Sequence, residues 1–494
     1  MTPDPAAPIP KLPYAYARRH GVLLRRGTTG ALECAHRAAL PPAAYLEAQR
    51  IAEASPVPVA LSDPDFDAAL SSAYRDSASQ ASEAAAGLDF DLAALADDAA
   101  QVDDLLDQND DSPVIRLINA LLLEAVKENA SDIHIETSEK RVAVRFRIDG
   151  MLREMLEPKR ALAPLLVSRI KVMARLDIAE KRLPQDGRVS LRVGGREVDV
   201  RVSTIPSQYG ERVVMRLLDR EGTKLHLPSL GMTDRDRAVF ERLLRRTEGI
   251  ILVTGPTGSG KTTTLYGAIS HLNDRVRNIM TVEDPIEYAL DGIAQTQVDA
   301  ATDLTFAKGL RAILRQDPDV IMVGEIREAE TAQIAIQSAM TGHLVLSTLH
   351  TNSAVGSVTR LLDLGAQRFL LAPMLTGLVA QRLVRVLCPA CRVETRASEA
   401  EAAVMRGHVP AGAPVWQAAG CADCFRQGYR GRTSIYEIVA VDTAMQAMIH
   451  DGASEADLEA AARRAGPSLL ADGAAKVLAG ITSIEEVGRV VQED

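Results

Sequence analysis

The chain has 494 residues, enough for two to four domains each with its own core, and 47% of it is apolar. Its net charge of −10 is concentrated: Leu61 to Asp111 hold fourteen acidic residues against one arginine, a local −13, leaving −10 + 13 = +3 elsewhere. No broad basic surface for nucleic acid follows from that balance, and no run approaches the roughly 18 uninterrupted apolar residues of a membrane-spanning helix.

Residues 1–75 open on the basic, apolar "KLPYAYARRHGVLLRR" and continue in Ala-rich text that predicts a small helical domain. The prolines of "MTPDPAAPIPKLPYAYARRH" stand where a signal peptide needs an apolar core, so a cytoplasmic protein is expected. Residues 76–110, rich in Ala, Ser and Asp, read as an acidic flexible linker, with helical leucine spacing in "LAALADDAAQVDDLL". "SPVIRLINALLLEAVKENA" then predicts an amphipathic helix, with Ser112 as N-cap and Pro113 in its first turn. "SDIHIE" and "RVAVRFRIDG" alternate as half-buried strands do, and "VSLRVGGREVDVRVSTIP" reads as a hairpin turning at Gly194-Gly195. Residues 111–229 are therefore an α+β domain. In residues 230–494, strand-like runs at 250–253, 279–282, 320–323 and 344–347 alternate with helical text, the pattern of a parallel α/β sheet. There is no internal repeat.

"GPTGSGKTTT" carries the chemistry. Gly255, Gly260, Lys261 and Thr262 fit G-x-x-x-x-G-K-[ST] between an apolar strand and the helix "KTTTLYGAISHL". The loop Gly255, Pro256, Thr257, Gly258, Ser259, Gly260, with Lys261, Thr262 and Thr263, turns backbone N–H groups onto phosphates at a helix N-terminus. Lys261 reaches the β- and γ-phosphates of ATP, and Thr262 holds Mg²⁺. A Walker B strand ordinarily ends in Asp; here Gly324 takes that place after Val320–Val323, leaving Glu325 to orient or deprotonate the attacking water. "TVEDPIEY" supplies Glu283, Asp284 and Glu287 at another strand end, where such folds place ligands, as carboxylates for Mg²⁺ and water. His343 and His350 flank the strand in "TGHLVLSTLHTN", and His350, at its C-terminal end, is the better γ-phosphate sensor.

Of five cysteines, Cys34 stands alone as a core residue, while Cys388, Cys391, Cys421 and Cys424 form two CxxC pairs 29 residues apart. A single pair permits a reactive dithiol. Two pairs in a cytosolic setting favour a tetrahedral, purely structural Zn²⁺ site.

The blocks "VEDPIEYALDGIAQTQVD", "GLRAILRQDPDVIMVGEIRE" and "TGHLVLSTLHTN" together resemble the Asp box, Walker B and His box of the secretion ATPase superfamily, the motors of type II secretion and type IV pilus assembly. Gly324 fits that family's unusual Walker B, and "ASDIHIE" and "RLPQDGR" extend the resemblance into the preceding domain. "LPYAYARRHGVLL" resembles the N-terminus of the secretion members more than that of the pilus-assembly members, which remain the alternative. Asp303 in "AATDLTF" departs from the family, which tends to carry Gly there. The resemblance implies a RecA-like P-loop domain carrying a tetracysteine insertion over 386–432. It also implies a homo-hexamer, with arginines brought to the phosphates: Arg201 and Arg216, with Arg311 and Arg315 left open. It implies peripheral attachment to the inner membrane through the cytoplasmic domain of an L-type secretion protein, and action on the membrane platform protein. Tyr14, Tyr16 and arginines 18, 19, 25 and 26 are that contact, or merely pack a small domain. Two other classes compete. A DNA motor needs a basic, aromatic channel, which 3% aromatic content and a near-neutral core disfavour, so no nucleic-acid partner is expected. A nucleotide-dependent switch differs in showing little turnover.

Overall fold

A computed structural model describes residues 113–193, 196–219 and 226–491. In the N-terminal region it describes 12, 17, 20–26, 32–37, 40–52, 54–62, 65–66 and 69. The expected linker 76–110, the Ser112 cap, the Gly194-Gly195 turn and Tyr14, Tyr16, Arg18 and Arg19 lie outside the described residues.

The N-terminal region departs from the helical expectation. Strands β1 (Val22–Arg26), β2 (Leu32–His36) and β3 (Val57–Ala60) form a sheet in that order, β1 antiparallel and β3 parallel to β2, beside the helix Pro42–Ala52. The Ala-rich composition hid two short strands, whose inward residues Leu23 and Cys34 pack with Ala48 and Phe66 in one buried cluster. Arg25 is held by Glu33 across the β1–β2 pair at 2.9 Å.

The helix Pro113–Lys127 buries Leu117, Ile118, Leu121, Leu122 and Ala125, the i, i+3/i+4 stripe of an amphipathic helix. It packs with the helix Ala163–Met173 against a six-stranded antiparallel sheet. That sheet comprises β4 (Asp132–Thr137), β5 (Val142–Ile148), β6 (Met151–Leu156), β7 (Gln185–Val193), β8 (Arg196–Ser207) and β9 (Gly210–Asp219), in the order β6-β5-β4-β9-β8-β7.

The remainder is built on a seven-stranded sheet ordered β12-β11-β13-β14-β10-β15-β18. Its strands are β10 (Gly249–Thr254), β11 (Ile279–Glu283), β12 (Ala294–Gln297), β13 (Val320–Val323), β14 (Leu344–Leu349), β15 (Leu375–Leu387) and β18 (Tyr429–Ala440). Side chains alternate between its faces as strand geometry demands. Ile250, Leu252, Ile321 and Val323 join one core, while Ile251, Val253, Val320 and Met322 join the other. Six strands run parallel, but β18 pairs antiparallel with β15, so the sheet is mixed rather than purely parallel. Strands β12, β15 and β18 escaped the sequence reading. The first has only four residues, and the other two carry arginines and polar residues along runs that do not alternate cleanly. Between Leu387 and Tyr429, which face each other at the base of that pair, residues 388–428 carry the small hairpin β16 (Val393–Arg396) and β17 (Pro414–Gln417). No helix among the described residues is long and apolar enough to cross a membrane.

Candidate functional site

Strand β10 delivers the glycine-rich loop to the C-terminal edge of the sheet, and the helix Lys261–Leu272 starts directly after it. Two glycines are required by the geometry. Gly255 has φ +151°, and a Cβ there would stand 2.5 Å from the Gln381 carbonyl oxygen; Gly260 has φ +88° and stands against the Gln381 amide. Residues 256–263 line a cavity of about 1150 Å³ shared with the middle domain.

Lys261 is 8% exposed, and its Nζ donates to the carbonyls of Gly255 (2.7 Å) and Pro256 (3.1 Å). Burial brings its pKa down to about 8, against the attraction of Glu325 and with the repulsion of Arg382. A phosphate anion reverses that shift, because an opposite charge favours the ammonium. Nucleotide binding at pH 8 is therefore expected to take up to about half a proton, and affinity should fall as pH rises through 8. Calorimetric titrations in buffers of different ionisation enthalpy measure this uptake directly. Pure proton release on binding would contradict the placement of Lys261 against the phosphates.

Glu325 follows β13, lines the cavity and is only 12% exposed. Arg327 Nε lies 2.6 Å from its carboxylate, and His350 Nε2 lies 3.6 Å away on the other side. Burial, then the charge of Lys261, hold the His350 pKa below its usual value, so the ring is neutral at pH 7. The loop bearing His350 is fastened to the phosphate-loop strand: Thr351 N–H donates to Thr254 Oγ1 (2.8 Å), whose hydroxyl also meets that of Thr351 (2.7 Å). His343 stands at the opposite end of β14, bonded to the Ser338 carbonyl (2.8 Å), and takes no part in the site. The structure also accounts for Gly324. A Cβ at that position would lie 3.3 Å from the Val282 carbonyl oxygen and 3.4 Å from Glu283 Cα, so an aspartate has no room without moving β11.

The three carboxylates of the Asp box separate. Glu283 is not a free metal ligand: at 2% exposure it accepts from the hydroxyls of Tyr266 and Thr281 (2.5 Å for the latter) and from Gln295 Nε2 (3.0 Å). Burial, with the Glu283 carboxylate beside it, pushes the Tyr266 phenol far above its usual range and keeps it a donor. The Glu283 carboxylate is spent on holding the loop together, because a buried acid needs donors around it. Asp284 and Glu287 face the cavity with Thr262 and form a fitting oxygen set for Mg²⁺.

Of the arginines, Arg216 lines the cavity and donates through Nε to Asp132 Oδ1 (2.8 Å). Arg201, opposite it in the β8–β9 register, is not among the cavity-lining residues. Its guanidinium instead bridges the domains, donating to the Ile286 carbonyl (3.1 Å) and pairing with Glu287 (3.3 Å). Arg311 pairs with Glu330 (2.6 Å), and Arg315 donates to the Arg311 carbonyl (2.7 Å); neither lines the cavity. Sequence reasoning passed over Arg327, the closest cation to Glu325, and Arg382, which lines the cavity from β15 and donates to the Asn352 carbonyl (2.9 Å). Adjacency to Glu325 could have flagged Arg327. Nothing local singles out an arginine inside an unrecognised strand. Asp303 adopts φ +57°, which explains the family's glycine there; aspartate is among the residues that tolerate this conformation.

The Sγ atoms of Cys388, Cys391, Cys421 and Cys424 all lie within 4.8 Å of one another. Three of the separations are 4.0 Å (388–421), 3.6 Å (391–424) and 3.7 Å (421–424). A tetrahedron with Zn–S bonds of about 2.3 Å has edges of about 3.8 Å, so the donor set fits zinc. Backbone N–H groups of Cys421 (3.2 Å) and Gly428 (3.1 Å) point at Cys424 Sγ. Burial opposes ionisation of that thiol, but these donors outweigh it and bring its pKa to about 6.

A phosphate loop opening a helix at the edge of a RecA-like sheet, with an acid at a neighbouring strand end, defines a P-loop nucleotide-binding protein. The family described as type II/IV secretion system protein matches residues 107–489, and a second family, described as an N-terminal domain of GSPII protein E, matches residues 11–74. The type II secretion system protein E of Pseudomonas aeruginosa is 59% identical, over 99% of this chain and 98% of its own length. The type II secretion system ATPase E of Vibrio cholerae is 52% identical, over 100% and 99%. The solved pilus retraction motor PilT with bound ADP superposes with TM-score 0.53 at 27% identity, over 76% of this chain and 97% of its own. The chain belongs to the type II/IV secretion system ATPase family, within its protein E group.

Proposed function

We propose that this chain is the ATP-hydrolysing motor of a type II secretion system, working as a homo-hexamer whose domain movements drive pseudopilus assembly and protein export. The observation that carries this reading is the cavity itself. Its floor is the phosphate loop and Glu325, and its opposite wall, with Asp132, Arg147 and Arg216, belongs to a separate domain. Chemistry on a nucleotide held there alters what the two domains share.

In this reading the N–H groups of the loop and Lys261 receive the phosphates, Glu325 accepts a proton from or aligns the attacking water, and His350 meets the γ-phosphate side. Arg216 stabilises the charge that develops during transfer. Thr262, Asp284 and Glu287 hold Mg²⁺, which supplies charge neutralisation at the phosphate oxygens. The tetracysteine set holds structural zinc. The ADP in PilT supports a nucleotide at this edge of the sheet. The identity to protein E chains from end to end supports secretion over pilus assembly.

Residues 1–75 are read as the contact with the cytoplasmic domain of an L-type inner-membrane protein, beneath the platform protein. The separate family match over 11–74 supports an independent module. Deleting residues 1–75 is expected to leave nucleotide affinity unchanged and to move the protein from membrane to soluble fractions of a cell lysate. Unchanged membrane association after the deletion would sink this assignment.

A further inference from the structure

We infer that the tetracysteine element docks the middle domain over the nucleotide cavity, with Asp149 as the positioning residue of the joint. The inference rests on the reading that the cavity takes ATP. Asp149 and Gly150, with φ +49° and +85°, turn the β5–β6 hairpin as Asp-Gly pairs do. The Asp149 carboxylate leaves its own domain: it accepts from the Gly431 N–H (2.8 Å) and faces Arg432 Nε (3.5 Å), both just beyond the cysteine loop. A second contact lies on the next strand of the hairpin. The Arg153 guanidinium sits 4.4 Å from the ring centroid of Phe425, the residue after Cys424, and Glu128 lies 3.9 Å from Arg153. Phe425 is 48% exposed, and it and Arg426 hold φ +50° and +61°, a conformation disfavoured for residues with a Cβ. The metal-site fold alone would be better served by glycine there. What the phenylalanine adds is a ring for Arg153.

The joint leads straight to the cavity. On the same strand as Asp149, Arg147 reaches Asp132 (3.6 Å), the carboxylate that Arg216 grips (2.8 Å). Asp132, Arg147, Asp149, Arg216 and Arg432 all line the nucleotide cavity. Where the hairpin is pinned therefore sets where Arg216 stands over the phosphates.

The test uses the full chain with Asp149→Gly, which keeps the left-handed turn and deletes the carboxylate, and Phe425→Gly, which relieves the backbone and deletes the ring. Amide hydrogen exchange in 143–156 and 425–432 should quicken about tenfold in the double variant. The helix 261–272 and a zinc content of about one per chain should be unchanged. The dissociation constant of a fluorescent ATP analogue should rise about fivefold. Asp149→Asn, which keeps the turn and one acceptor, should recover most of both effects. Unchanged exchange at the joint would overturn the inference, as would quickened exchange with unaltered nucleotide affinity. A wild-type chain that binds the analogue but releases no phosphate sinks the hydrolysis reading alone. The joint is then still judged by exchange and affinity.

Discussion

Glu325→Gln is expected to bind ATP as well as the unaltered chain does and to release phosphate about 10² to 10⁴ times more slowly, the range lost with a general base or water-orienting acid. The variant keeps its fold, because what it loses is one ion pair to Arg327, whose side chain is two-thirds exposed and returns to water at little cost. Lys261→Ala should fail at an earlier step. Its ammonium is the buried cation aimed along the phosphate loop, and losing a charge-assisted hydrogen bond to phosphate costs about 1.5–3 kcal/mol, or roughly tenfold to a hundredfold in affinity. Equilibrium binding of labelled ATP and steady-state phosphate release, run on both variants, separate the two roles. Near-normal release by Glu325→Gln would remove Glu325 from the chemistry, and undiminished affinity in Lys261→Ala would remove Lys261 from the phosphates.

Cys388→Ser is expected to have the largest structural effect of any single change in the cysteine loop. Structural zinc in small sites is worth about 10–16 kcal/mol of apparent binding free energy, and in such sites that energy is also folding energy. Cys388 directly follows Leu387, the residue paired with Tyr429 where β15 and β18 close, and its N–H donates to the Gly428 carbonyl (2.9 Å). Losing the thiolate should reduce zinc from about one per chain to a small fraction. Proteolysis within 386–432 should quicken, while β10 and the helix 261–272 stay protected, because their cores do not contain the cysteine loop. Elemental analysis and timed proteolysis check both halves. Full zinc retention, or collapse of the phosphate loop with the cysteine loop intact, would refute this account.

Much of the nucleotide grip was legible because its determinants are local. The phosphate loop needs glycine at fixed offsets, its lysine and threonine follow in the first helical turn, and the apolar run before it can only be a buried strand. The helix Lys261–Leu272 was read with the limits the structure gives it. The two CxxC pairs carried their chemistry the same way, since a chelating spacing of thiols is a sequence property, and the fold had only to bring the pairs to within 4.8 Å.

Other features depended on residues far apart in the chain, and sequence spacing could not rank them. Glu283, Asp284 and Glu287 look alike in "VEDPIEY", yet only packing put the Tyr266 hydroxyl and Gln295 amide around Glu283 and left the other two on the cavity wall. Arg201 and Arg216 look equally suited to phosphate, but neighbouring strands turned one toward Glu287 and the other toward the site. The N-terminal strands were masked by alanine-rich text, and β18 was hidden beyond the cysteine loop that closes it onto β15. By itself the sequence determined the phosphate loop, its helix, the acid at position 325 and the thiolate set, because backbone conformation and ligand chemistry act over a few residues. Only the tertiary structure decided which carboxylates stay free, why glycine stands at 324, and which arginine faces the cavity. Those outcomes follow from steric room and hydrogen-bond partners supplied by distant strands.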